Sequence, residues 1–205
     1  MQPSTAEPQQ ATGPAPRREG PSAPAVAWVL LVCGGVGLSA ALVLLVEKIR
    51  LVADPSYVPS CSISPLLSCG SVMSTPQAEL FGFPNPILGV AGFAALTTVA
   101  VTILSGARLP AWYWAGLTVG TALGTVFVHW LIFQSLYRIG ALCPYCMVVW
   151  VVTTTAFVAV LARWSRVGAL PRWVAGYATS LVVAWALVVA ALIAVQFWDY
   201  WITFL

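Results

Sequence analysis

The stretch Cys143-Pro144-Tyr145-Cys146-Met147-Val148-Val149-Trp150-Val151-Val152-Thr153-Thr154-Thr155-Ala156-Phe157-Val158-Ala159-Val160-Leu161 carries no charged residue. As a helix it rises roughly 28 Å, close to the ~30 Å hydrocarbon core of a bilayer. Working outward, four more stretches share this character: Ala25–Val46, Pro86–Leu104, Ala111–Tyr137 and Trp173–Phe197. All fifteen charged residues lie outside these five, as expected if each such residue costs at least ~2.5 kcal/mol at a bilayer centre. Over 205 residues the chain is 60% apolar and 7% charged, with a mean hydropathy of +0.91. A soluble domain carries about 25% charged residues, and disorder needs low hydrophobicity, so both classes are excluded. The net charge of +3 is too small for a nucleic-acid footprint. The sequence predicts an all-α membrane protein with five transmembrane helices.

Residues 1–24 hold six of the fifteen prolines together with Ser, Gln and Gly, and read as a disordered tail. The first span is too long for a signal-peptide core and lacks an A-x-A-like exit, so it is expected to be a retained helix. Residues 25–205 then form one transmembrane domain, with a long connection over 47–85. Arg17 and Arg18, Arg108, and Arg163, Arg166 and Arg172 all fall on one face when five spans are threaded, six of the nine basic residues. By the positive-inside rule that face, with the amino terminus, is cytoplasmic. The carboxyl terminus and the 47–85 connection are extracytoplasmic, in a multi-pass protein of the cell membrane.

This parity puts four of the five cysteines on the oxidising side: Cys61 and Cys69 in the long connection, Cys143 and Cys146 at a helix mouth. Positions i and i+3 share a helix face, and Pro144 suits a first helical turn. Cys143 lies nearest the positive end of the helix dipole, which favours the reactive thiolate. Cys146 lies about 4.5 Å deeper, placed to hand electrons to something dissolved in the bilayer. A C-x-x-C is also half of a zinc site or an inert pair, but zinc prefers a second close C-x-x-C or histidines. Here the second pair is spaced Cys61-x7-Cys69 and the only histidine is His129. Redox chemistry is the favoured reading and no metal is expected. A mobile loop dithiol could relay electrons from a soluble partner to the helix mouth by thiol–disulfide exchange. Cys33, alone in the first span, reads as a small buried residue.

These residues resemble a known family. Cys61-x7-Cys69, Ser74, the run Phe81-Gly82-Phe83-Pro84-Asn85-Pro86 with Gly89, and Cys143-Pro144-Tyr145-Cys146 look like the bacterial branch of the vitamin K epoxide reductase family. The likeness covers about residues 26–200. It implies a four-helix bundle around a quinone, plus a peripheral fifth helix. It further implies oxidation of a DsbA-like, thioredoxin-fold partner and reduction of a membrane quinone of menaquinone or ubiquinone type, driving disulfide formation. By position, Cys61 and Cys69 match the shuttle cysteines and Cys143 and Cys146 the active-site pair, with Cys146 facing the quinone. The resemblance implies that Cys69 meets the partner and Cys61 passes electrons to Cys143. It also implies quinone contacts from Ser74 and Asn85, although Asn85, flanked by two prolines, could equally satisfy backbone groups of the turn. Some members carry a fused thioredoxin-like domain after the fifth helix; here the sequence stops at Leu205, so a separate partner protein is expected. The vertebrate branch has a quinone-binding tyrosine where this chain has Trp150, whose indole N–H can still donate.

Among the other polar residues, His129 is a candidate to assist quinone protonation or to bond a neighbouring helix. Ser71–Phe81 is expected to form a short amphipathic helix capping the bundle. Trp112, Trp114, Trp164, Trp173, Trp198 and Trp201 read as an interfacial aromatic belt. The alternative function from another class is a thiol-based membrane metal-ion carrier or binding protein. The scarcity of polar groups inside the spans argues against it.

Overall fold

The architecture is that of a computed structural model, which describes residues 23–167 and 169–202. The predicted tail lies outside the described residues, apart from its last two positions. Five helices have the length and hydropathy to cross a membrane: α1 (Ala23–Ala53), α3 (Pro86–Leu104), α4 (Ala111–Gln134), α5 (Pro144–Arg166) and α7 (Ala178–Gln196). Short pieces complete the chain: α2 (Cys69–Met73), a 3₁₀ helix (Pro76–Glu79), a π-helical turn (Ser135–Ile139), α6 (Trp173–Gly176) and α8 (Trp198–Ile202). The protein is an all-α membrane protein.

Several boundaries differ from the sequence-based expectation. The first helix runs past Val46 to Ala53, because Glu47 and Lys48 are buried against protein partners. Pro55 then disfavours helical backbone at Asp54. The fourth membrane helix starts at Pro144, which leaves Cys143 outside as its N-cap, and it continues to Arg166. Arg163 and Arg166 in that last turn complement the helix dipole. The predicted fifth span divides at Tyr177 into α6 and α7.

Helix α1 packs along α3 and α5, and α5 along α4, whereas α3 and α4 scarcely touch. The four helices therefore enclose a space that is open sideways between α3 and α4. Helix α7 rests on α5 and on the π turn from outside, as a peripheral fifth helix. The main core joins Leu30, Cys33, Ala41, Phe93, Leu96, Val152 and Ala156.

Close approach of α1 and α3 rests on two glycines. A Cβ on Gly34 would stand 2.5 Å from Thr97 Oγ1 and 3.0 Å from the Thr97 backbone nitrogen, and one on Gly37 would meet the Phe93 ring at 2.4 Å. Small residues at such crossings are how membrane helices gain packing. Gly34→Val should therefore lower stability by about 1–3 kcal/mol, the usual cost of overpacking, read as earlier thermal unfolding in detergent.

Candidate active site

The outer segment between α1 and α3 is built to hold one sulfur pair over another. Asp54 opens a turn, accepting from Ser56 Oγ at 2.6 Å and from Ser56 N at 2.9 Å. Glu47 then fixes the chain just ahead of Cys61: its carboxylate accepts from Tyr57 OH at 2.8 Å and Ser60 Oγ at 2.6 Å. Further along, Leu67 and Leu142 form a parallel bridge. Ser68 N donates to Leu142 O at 2.9 Å and Leu142 N to Leu66 O at 2.8 Å. Ser135, buried in the π turn, steadies the same strip by donating to Ala141 O at 2.5 Å. Gly140, at φ +71, makes the left-handed reversal that brings the strip back toward α5.

That bridge sets the register of the cysteines. Cys69 opens α2 and Cys143 caps α5, and their sulfurs lie 3.2 Å apart. Cys61 and Cys69 are joined by a disulfide, while Cys143 and Cys146 are free thiols. Cys69 and Cys143 are 0% exposed and Cys61 4%. The resemblance leads one to expect Cys61 beside Cys143; in the structure the sulfur touching Cys143 is that of Cys69, because the backbone bridge runs directly into Cys69. Cys143 Sγ accepts the backbone N–H of Cys146 at 3.3 Å. Hydrogen bonding from the Cys146 side chain first, and from nearby backbone N–H groups, holds the Cys143 thiol below its ordinary value against the opposing effect of burial.

Cys146 lines a cavity of about 850 Å³ between α1, α3, α4 and α5. Its roof comes from the outer segment, including Val72, Met73, Gln77, Phe81 and Asn85. The capping element is not one helix over 71–81 but α2 and the 3₁₀ helix, separated by Ser74-Thr75 ahead of Pro76. Lys48 ties the two together: its ammonium donates to Met73 O at 2.7 Å and pairs with Glu79 at 2.9 Å. Phe81 leans on Phe127 of α4, with ring centroids 5.9 Å apart.

Asn85 faces this cavity but also braces the roof, donating from Nδ2 to Gln77 O at 2.7 Å and accepting from Leu80 N at 3.3 Å. One of its two amide hydrogens is left over. Trp150, one turn below Cys146, lines the cavity, and its buried indole N–H has no acceptor. Gln134, at the end of α4, lines it too; only its position as an amide at the end of an apolar span hinted at this. The polar roles of Lys48, Glu47 and Ser135 were likewise not legible from spacing.

Two expected residues stand elsewhere. Ser74 is exposed and spends its hydroxyl on Gly70 O at 2.8 Å, capping α2. His129 points away from the cavity: its Nε2 accepts from Trp185 Nε1 of α7 at 2.8 Å, and its Nδ1 lies 2.7 Å from Thr125 O. It bonds a neighbouring helix, the second of its two expected roles. Trp114 is not a belt residue, being 3% exposed. Among the described residues no group of three or more His, Cys, Asp or Glu side chains is arranged to hold a metal ion.

A model of the vitamin K epoxide reductase family matches residues 28–161. The chain belongs to this family. The matched region runs from the first turns of α1 almost to the end of α5, and so contains both cysteine pairs and the cavity walls. No curated protein matches the sequence. Membership makes the chain a membrane thiol oxidoreductase with a redox-active cysteine centre, in a family that uses quinones and works with thioredoxin-like partners.

Proposed function

We propose that this family member oxidises a separate extracytoplasmic, DsbA-like thioredoxin-fold protein and passes two electrons to a membrane quinone of menaquinone or ubiquinone type. The observation that carries this reading is the 3.2 Å contact between Cys69 and Cys143, with Cys146 on the cavity wall. The partner's thiolate attacks Cys61, since the other sulfur of the pair, Cys69, is engaged with Cys143, and its second thiol resolves the mixed disulfide. The partner leaves oxidised, and Cys61 and Cys69 become a dithiol. Cys69 then attacks Cys143 of an oxidised Cys143–Cys146 pair, releasing Cys146. Cys61 closes on Cys69, leaving Cys143 and Cys146 reduced. That end state has the same thiol and disulfide pattern as the structure.

A bound quinone supplies an acceptor for two electrons and two protons. The cavity fits such a headgroup because it is mostly apolar and offers leftover neutral donors: the Trp150 N–H, one Asn85 amide hydrogen and the Gln134 amide. Burial of Cys143 and the Lys48-held roof keep water from the sulfurs, which protects them from side reactions. The sideways gap between α3 and α4 lets a lipid-soluble substrate reach Cys146 without leaving the membrane.

The test is anaerobic quinone reduction by the purified protein with a reduced thioredoxin-fold donor. Turnover of donor disulfide and quinol in equal amounts is expected; no quinol above the uncatalysed rate would overturn the proposal. Trp150→Phe keeps the ring but removes the donor. A lost neutral hydrogen bond is worth about 0.5–1.5 kcal/mol, so KM for quinone should rise roughly 2- to 10-fold, with kcat changed less.

A further inference from the structure

The outer segment reverses at Cys61. Ser62 N donates to Pro59 O at 2.9 Å, and Val58 and Ile63 stand at the two feet of that turn. Between Asp54 and Glu79 these are the two large apolar side chains left open, at 71% and 73% exposed. Their backbone is anchored. In the chain Val58 lies between Tyr57 and Ser60, whose hydroxyls donate to the Glu47 carboxylate at 2.8 and 2.6 Å. The backbone N–H of Ile63 donates to Leu67 O at 2.8 Å. A scattered apolar side chain is ordinary on a surface; here two are held on either side of the sulfur that a protein partner has to reach.

Two features say what covers them. Cys61 is only 4% exposed, so a thiol brought to the ~2 Å of a sulfur–sulfur bond must arrive on a surface pressed against the turn. That surface necessarily covers Val58 and Ile63. Residues 55–78, moreover, contain no Asp, Glu, Lys or Arg. A charged rim would lose water here without gaining a counter-charge, whereas an apolar rim gains by burying both side chains. Lipid does not fit the same place, because Asp54, Ser56 and Ser60 are exposed beside Val58 and a carboxylate is costly in hydrocarbon.

We propose that Val58 and Ile63 form the docking surface for an uncharged, apolar rim around the reactive thiol of the thioredoxin-fold partner. The inference rests on the partner reading above and adds where that protein seats and by which chemistry it is recognised. Anchoring of the turn lowers the entropy cost of docking, so the contacts act on affinity and leave the exchange chemistry to the cysteines.

The test measures anaerobic quinol formation by the purified full chain, with a reduced DsbA-like protein or with dithiothreitol as donor. In the double variant Val58→Ser, Ile63→Ser, KM for the protein donor should rise at least about tenfold with kcat little changed. Turnover driven by dithiothreitol, which needs no docking surface, should stay at the wild-type level and so report an intact fold. The pair Val58→Ile, Ile63→Val keeps both apolar surfaces and should hold KM within about twofold. A KM within about twofold of wild type in the serine variant overturns the proposal. So does an equal fall in dithiothreitol-driven turnover, which would make the two residues structural. A wild-type KM that climbs steeply as salt is raised would assign docking to charge and overturn it too. Wild-type turnover with dithiothreitol but with no thioredoxin-fold protein would remove the partner reading and the docking surface together; a partner accepted equally by wild type and serine variant removes the docking surface alone.

Discussion

Cys143→Ala and Cys146→Ala each abolish quinone reduction with every donor, whether a thioredoxin-fold protein or a small dithiol. The reason is positional. Cys146 is the cysteine on the wall of the large cavity, and Cys143 is the sulfur in contact with the loop pair. Neither can act alone, because two electrons leave a dithiol only as it closes to a disulfide, and the partner sulfur must be within bonding reach. Cys143 at the N-cap of α5 and Cys146 in its first turn are three residues apart, close enough that the backbone N–H of Cys146 donates to the Cys143 sulfur at 3.3 Å. The measurement is quinol formation under anaerobic conditions, with far-UV circular dichroism to show that the variants keep their helices. Turnover in either variant would remove the helix-mouth pair from the reaction. A small dithiol is the informative donor, since it bypasses Cys61 and Cys69 and isolates the last step.

How far the sequence disclosed this arrangement depends on the kind of signal. Spans were legible because burial in lipid demands long runs without charge, and the five helices agree with that demand. Their ends were less so. Glu47 and Lys48 look like a helix stop, yet they are buried and satisfied by Tyr57, Ser60, Met73 and Glu79, partners that no local pattern announces. The cysteines were legible because a C-x-x-C at a helix mouth has few other uses. Their contact order was not, since it is set by the bridge between Leu67 and Leu142, a pairing of segments far apart in the chain. His129 shows the same limit: an intramembrane histidine suggests proton chemistry, but which way it faces depends on how α4 is turned, and here it meets Trp185. Trp114 resembled its neighbours in the belt, yet it is packed into the main core with Arg163 over its ring.

The two loop cysteines should fail in different ways, although the motif treats them alike. In Cys61→Ala, Cys69 still reaches Cys143 and attacks it whenever the helix-mouth pair is oxidised. No Cys61 remains to resolve the product, so a Cys69–Cys143 disulfide accumulates and partner-driven turnover falls to background. In Cys69→Ala the sulfur beside Cys143 is gone. Cys61 is held by its own anchors, Glu47 binding the hydroxyl of Ser60 immediately before it, so partner-driven turnover again stops but no loop-to-helix disulfide forms. Peptide mapping of alkylated, non-reduced protein distinguishes the two. A Cys61–Cys143 linkage in Cys69→Ala, at a yield matching Cys69–Cys143 in Cys61→Ala, would show that the loop presents either sulfur and that the 3.2 Å contact does not set the route. If the contact does set it, a small dithiol restores quinone reduction in Cys69→Ala. It should do so far less in Cys61→Ala, where Cys143 is locked to Cys69 until the dithiol has first reduced a bond in which both sulfurs are buried.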